Sequence, residues 1–150
     1  MNLILFVCHG NICRSPMAEM LLKHLVRQRG VADQFCIASC AVSREEIGNP
    51  VYPPARAELA RHGVPCEKRG ARQLTRQDYQ DYDYLIAMDN WNIRLMQRIL
   101  GGDPKGKCHL LMDFTARPGE VSDPWYSDRF DVAYQDILEG CEGLLKHLGY

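Results

Sequence analysis

The sequence carries almost no net charge. Its 18 Lys and Arg against 19 Asp and Glu leave a formal charge of −1. That balance gives no bulk attraction to nucleic acid or to a membrane surface, and neither is expected as a partner. Long apolar runs are also absent. Leu3-Ile4-Leu5-Phe6-Val7 is short, has no basic segment before it and meets a polar loop at once, so neither a signal peptide nor a transmembrane helix is expected. The seven cysteines (Cys8, Cys13, Cys36, Cys40, Cys66, Cys108 and Cys141) are odd in number and contain no Cys-x-x-Cys pair. This excludes the usual signatures of a disulfide framework and a zinc ribbon, and a reducing cytoplasm fits best. No metal or other cofactor is expected. Cys36, Cys66, Cys108 and Cys141 read as small buried apolar residues. Repeats, low-complexity tracts and linkers are missing, so residues 1–150 are expected to form one domain, long enough to bury a core without staples.

What is present is an alternation of strand-like and helix-like segments, which points to an α/β fold with a parallel sheet. Strands are expected at about 2–7, 35–42, 83–88 and 108–112. Helices are expected from Pro16 to about 29, with Gly30 just past the end, and from Ala55 to His62, stopped by Gly63. A short helix starts near Thr75. Another, capped by Asp89 or Asn90, runs to Leu100, and a last one, capped by Ser127, carries an apolar stripe from Phe130 to Leu148. Four parallel strands with helices on both faces make a small doubly wound, flavodoxin-like sheet, whose ligands sit beyond the carboxyl ends of the strands. A loop of about fifteen residues after the fourth strand is long for a compact domain and is a candidate functional loop.

The segment Cys8-His9-Gly10-Asn11-Ile12-Cys13-Arg14-Ser15-Pro16 lies between the first strand and the first helix. A loop in that position turns backbone N–H groups and a helix N-terminus toward one point, a cradle for a phosphate dianion. Thiols at helix N-termini beside cations ionise well below their usual value of about 8.5, so Cys8 is placed to attack phosphorus as a thiolate. Gly10 and Asn11 tolerate the positive φ that would turn successive N–H groups inward. Arg14 offers a planar fork for two phosphate oxygens. Ser15 either donates to the Cys8 sulfur or caps the helix. Spacing alone is a weak warrant. Cys66-Glu67-Lys68-Arg69-Gly70-Ala71-Arg72 repeats Cys-x5-Arg with no strand before it and no helix directly after it, and is read as non-catalytic.

Cys-x-Gly-Asn-Ile-Cys-Arg-Ser-Pro-Met-Ala-Glu resembles the low-molecular-weight protein tyrosine phosphatases. So do Ser39 after the second strand, Ala71-Arg72-Gln73-Leu74-Thr75, Ala87-Met88-Asp89 and Asp123-Pro124-Trp125-Tyr126. The resemblance implies hydrolysis of phosphotyrosine in proteins, or of aryl phosphates, through a cysteinyl phosphate, with inorganic phosphate as product. It implies that Asp123 is the general acid, then the base that activates water. It further implies that Cys13 can form a reversible disulfide with Cys8 under oxidation, and that Asn11 and Ser39 hold the loop in shape. His9 lies at the cleft mouth and is read as facing solvent.

Three departures bear on substrate. Trp125 and Tyr126 match one aromatic wall of the family's cleft, but Glu45 stands where the opposite wall usually has an aromatic residue. This halves the apolar rim and disfavours acidic peptides. Arg69 replaces a histidine common two residues before Ala-Arg-Gln. Ile12 stands where a phosphoarginine phosphatase branch has threonine; isoleucine cannot hydrogen-bond a guanidinium, which favours phosphotyrosine. Arsenate reductases on the same fold need a redox cysteine pair after the third strand, and residues 83–107 contain none. A rival from another class is a non-catalytic phosphotyrosine-binding or redox-sensing module; a pure binder would need neither a thiolate nor an acid.

Overall fold

The computed structural model describes residues 1–150. Its strands are β1 (Asn2–Cys8), β2 (Phe35–Ala41), β3 (Tyr84–Ala87) and β4 (Cys108–Leu110), all parallel, in the order β2-β1-β3-β4. The chain winds outward from β1 to β2, then crosses back to β3 and β4 on the other side. The winding therefore reverses next to β1, and the crevice at that point, beyond the carboxyl ends of the strands, is where open α/β sheets bind ligands. Cys8 is the last residue of β1. The doubly wound, flavodoxin-like fold expected from the sequence is observed.

Both faces of the sheet are covered, which is why β1 is apolar at every position from Leu3 to Cys8 rather than alternating. Ile4 and Phe6 face α1 (Arg14–Gln28) and α6 (Phe130–His147), meeting Met17, Met20, Leu21, Ile137, Cys141 and Leu144 in one cluster. Leu5 and Val7 share the opposite face with Leu85 and Ala87, under α3 (Arg76–Asp81) and α4 (Asn90–Leu100), where Tyr79 and Met96 close the second cluster. Each fully buried Leu, Ile or Phe contributes about 1.5–3 kcal/mol of burial free energy, so β1 is firmly anchored just behind Cys8. α2 (Pro53–Arg61) packs against α1 and α6.

Several local expectations are corrected. α1 begins at Arg14, not Pro16. Pro16 is then the third helical residue, where an N–H would have no intrahelical partner in any case. The earlier start brings the helix N-terminus directly onto the loop. β4 stops at Leu110 and passes into a 3-10 turn, Leu111–Phe114. Ser127 does not cap the last helix. It ends a short helix α5 (Pro124–Ser127), and α6 starts after Arg129, whose N–H donates to the Ser127 hydroxyl at 3.1 Å. Of the four cysteines expected to be buried, only Cys141 is; Cys36 is exposed and Cys66 and Cys108 are half-buried. Cys36 pairs with Leu3 on the edge strand β2, on the same face as Cys40 but at the end that α3 and α4 leave uncovered.

Gly140 and Gly143 lie inside α6, where glycine is otherwise costly. A Cβ on Gly140 would run into the Leu111 side chain, and one on Gly143 into the Phe114 carbonyl. The two glycines let the 3-10 turn sit directly on α6. That turn starts the long loop carrying Asp123.

Candidate active site

The loop after β1 closes around the Cys8 sulfur. Asn11 adopts φ 60°, a left-handed conformation that asparagine tolerates, and its N–H points back to Cys8 Sγ at 3.3 Å. Gly10 does not have positive φ, contrary to expectation. Its lack of a side chain serves a close approach instead: a Cβ there would lie 3.3 Å from Glu46 Cγ. No side chain caps α1, so the first N–H groups of the helix stay available at the loop. The capping alternative for Ser15 is thereby removed.

Counting hydrogens fixes what Ser15 does. The Asn11 side-chain amide donates to Ser15 Oγ and to Ser39 Oγ, both at 2.9 Å. Ser15 therefore accepts from Asn11 and has one hydrogen to give. Its candidate acceptors are Cys8 Sγ at 2.9 Å and the Cys40 carbonyl at 3.4 Å. The shorter contact assigns that hydrogen to sulfur, and an anionic sulfur strengthens it. Ser39 likewise passes its hydrogen to Glu19 Oε1 at 2.6 Å, and Glu19 is paired with Lys23 at 2.7 Å. Asn11 Oδ1 accepts from the Arg72 N–H at 3.3 Å. Behind the loop, the Arg69 guanidinium donates to the Asn11 carbonyl and, at 3.3 Å, to the Asn49 carbonyl. The strained residue is thus held through its N–H, its carbonyl and both ends of its side chain.

Arg14 is almost fully buried. It donates to Asp89 Oδ2 at 2.9 Å, to the Val121 carbonyl at 3.1 Å and to Asp123 Oδ2 at 3.4 Å. Burial works against its charge, but Cys8, Asp123 and Asp89 outweigh that and push its pKa above the usual guanidinium value. Asp123 caps α5, with Oδ1 accepting from the Trp125 N–H at 3.0 Å. A guanidinium and a carboxylate thus face the same space as the thiol. Cys13, at the start of α1, is buried. Burial first, then the neighbouring Cys8 and Asp123, push its thiol up to about 12.

These groups line a cavity of about 480 Å³. Ile12 lies on its wall and Trp125 and Tyr126 at its mouth, the two aromatics being 53% and 86% exposed. Glu45 lines the cavity too, and His9, read as solvent-facing, is turned onto Glu45 at 3.2 Å. All the residues singled out around Cys8 and Asp123 therefore converge, with Ser39 one hydrogen bond behind. The second Cys-x5-Arg does not join them. Its arginine, Arg72, is engaged by Asp78 at 3.0 and 3.1 Å beside α3.

Four residues were given no site role from the sequence, although Glu19 and Asp89 lie in segments that carry the family resemblance. Asp89 was assigned a capping role, which it has; its place just past the end of β3, beside β1, is the signal that brings it to the site. Glu19, four residues after Ser15 on the same helical face, had that spacing as its signal. Trp91 and Glu46 line the cavity mouth, and a single sequence carries no pattern that marks them.

The fold and the site together define an α/β protein built around a buried free thiol at a helix N-terminus, beside a guanidinium and a carboxylate. A family model described as low molecular weight phosphotyrosine protein phosphatase matches residues 3–150, and the chain belongs to that family. It is similar to the low molecular weight protein-tyrosine-phosphatase YfkJ of Bacillus subtilis, with 37% identity covering 95% of this chain and 92% of the relative. The crystal structure of YfkJ superposes with a TM-score of 0.94 over 99% of this chain and 94% of that one, at 36% identity. The low molecular weight phosphotyrosine protein phosphatase of Rattus norvegicus is 37% identical, covering 95% of this chain and 93% of the relative. A Drosophila arginine phosphatase is similar in structure, with a TM-score of 0.88, 35% identity and coverage of 100% of this chain and 99% of that one.

Proposed function

We propose that this chain hydrolyses phosphotyrosine in proteins by way of a phosphocysteine on Cys8. The observation that carries the reading is the sulfur's environment: Ser15 Oγ at 2.9 Å and the Asn11 N–H at 3.3 Å, at the mouth of a helix N-terminus, under Arg14 and Asp123. The substrate's phosphate takes the Arg14 fork and the loop N–H groups, displacing Asp123 from Arg14 and leaving its Oδ2 to face the bridging oxygen. Cys8 attacks phosphorus in line. The S–P bond forms as the P–O bond to tyrosine breaks, and protonated Asp123 gives its proton to the departing phenolate oxygen. Water then attacks phosphorus while the Asp123 carboxylate takes its proton. The S–P bond breaks, phosphate leaves, and the thiolate is restored under the Ser15 hydroxyl.

Trp125 and Tyr126 are proposed to grip the phenyl ring. Ile12 offers no hydrogen bond to a guanidinium, which supports phosphotyrosine over phosphoarginine. The experiment is a comparison of kcat/KM on matched phosphotyrosine, phosphoserine and phosphoarginine peptides. A preference for phosphotyrosine is expected, and a preference for phosphoarginine overturns the assignment.

Cys13 is proposed as the partner that captures Cys8 after peroxide has converted the thiolate to a sulfenic acid, expelling water as the disulfide forms. Its raised pKa keeps it a thiol at neutral pH. After peroxide and thiol reductant, Cys13→Ser should recover less activity than wild type; equal recovery refutes the role. This thiol chemistry suits the cytoplasm, and no helix is long and apolar enough to cross a membrane.

A further inference from the structure

The cavity mouth is chemically lopsided. Four carboxylates line it, Glu45, Glu46, Asp89 and Asp123, whereas Arg14 and His9 are the only lining residues that carry or can take a positive charge. Arg14 is already paired with Asp89 and Asp123, and His9 with Glu45. A phosphate dianion in the loop adds further negative charge. Such a site gains most from a substrate that brings positive charge beside its phosphorylated residue.

Trp91 supplies a second, independent feature. It is the second residue of α4, two positions after the Asp89 cap, and is 52% exposed at the cavity rim. Trp125 rests on Tyr52 with ring centroids 5.3 Å apart, but Trp91 has no aromatic partner and presents its ring to the opening. An exposed indole at the edge of a binding cavity is the kind of apolar surface that marks recognition, and its face attracts ammonium and guanidinium groups. Glu45 and Glu46 come from the loop after β2 and Trp91 from the first turn of α4, around one mouth. An extended peptide rising about 3.3 Å per residue carries the residues beside a seated phosphotyrosine across them.

We propose that the rim formed by Trp91, Glu45 and Glu46 is a subsite for arginine or lysine side chains flanking the phosphotyrosine, so that the enzyme selects basic phosphopeptides over acidic ones. This rests on the phosphotyrosine phosphatase reading and names its substrate class.

The test compares free phosphotyrosine with three peptides of equal length in which phosphotyrosine is flanked by Arg, Ala or Glu. The order of kcat/KM is expected to be Arg, then Ala, then Glu, with about three- to fivefold per step, the range of exposed cation–π and ion-pair contacts. The spread should shrink at 1 M salt, where screening reaches about 3 Å. Trp91→Ala and the double variant Glu45→Gln/Glu46→Gln should each lower the Arg-to-Glu ratio, and Trp91→Phe should keep most of it. All these side chains are at the surface of the mouth, and the ratio compares substrates on one folded sample. Hydrolysis of free phosphotyrosine with equal rates on the Arg and Glu peptides, or with a ratio unmoved in both variants, overturns the subsite alone. No hydrolysis of any phosphotyrosine substrate overturns the underlying reading as well.

Discussion

Replacing Ser15 by alanine removes one oxygen from a fully buried position and leaves the backbone of α1 unchanged. Two hydrogen bonds go with it: the one the hydroxyl donates to Cys8 Sγ and the one it accepts from Asn11 Nδ2. In the proposed mechanism the first touches the sulfur that attacks phosphorus and that leaves again when phosphate is released. Hydrogen bonds to charged groups are worth about 1.5–3 kcal/mol, which converts to roughly ten- to hundredfold in rate. The loss falls most heavily on breakdown of the phosphocysteine, where sulfur is the leaving group and regains its charge. Ser15→Ala should therefore turn over slowly and show a burst of phenol, in stopped-flow absorbance, with an aryl phosphate whose leaving group departs easily. Wild type should show a smaller burst or none. The orphaned Asn11 N–H adds about 1–3 kcal/mol of lost stability, readable as a lower Tm. Wild-type kcat with no burst in Ser15→Ala would refute the direction assigned to the Ser15 hydrogen.

Asp123→Ala should lower kcat on phosphotyrosine by about 10²- to 10⁴-fold, the usual contribution of a general acid, and by much less on esters with good leaving groups; equal losses on both would remove the acid role. Arg69 is pushed below the usual guanidinium value by burial yet stays charged at neutral pH. Arg69→His replaces it with a group that loses its charge near pH 6.5, so the variant's kcat should fall by about fivefold as pH rises through that region, the worth of about one hydrogen bond. A pH–rate profile with no new transition would refute Arg69's support of the Asn11 carbonyl. Gly143→Ala drives a methyl into the Phe114 carbonyl. Overpacking of about 1–3 kcal/mol, less a helix-propensity gain of about 1 kcal/mol, leaves a net loss of up to about 2 kcal/mol and should lower Tm in calorimetry, whereas a higher Tm would contradict the close contact.

The nucleophile loop was legible because three signals coincide there: an apolar strand, a loop with both nucleophile and guanidinium, and a helix start. Cys66 shows that the spacing without the strand and helix leads nowhere, since Arg72 is engaged by Asp78 instead. The fold was legible for a similar reason: strands buried on both faces read as short continuous apolar runs, and β1 is one throughout. What stayed hidden depends on tertiary placement. Asp89 reaches Arg14 only because β3 lies beside β1. Gly10 was assigned to backbone conformation, but its reason is the approach of Glu46, which no local pattern reveals. Ser127 looked like a cap because a polar residue precedes an apolar stripe; the short α5 intervened, positioned by Asp123 capping its own N-terminus. Trp91 was an ordinary helical residue until the cavity placed it at a rim.

The central claim is that phosphate passes through the Cys8 sulfur. Rapid acid quench of the enzyme mixed with an aryl phosphate, followed by peptide mass spectrometry, tests it most directly. The account predicts one phosphate on the peptide containing Cys8, accumulating further in Ser15→Ala and absent in Cys8→Ser. Single-turnover release of phenol with no phosphate on Cys8, or phosphate on another residue, would contradict it.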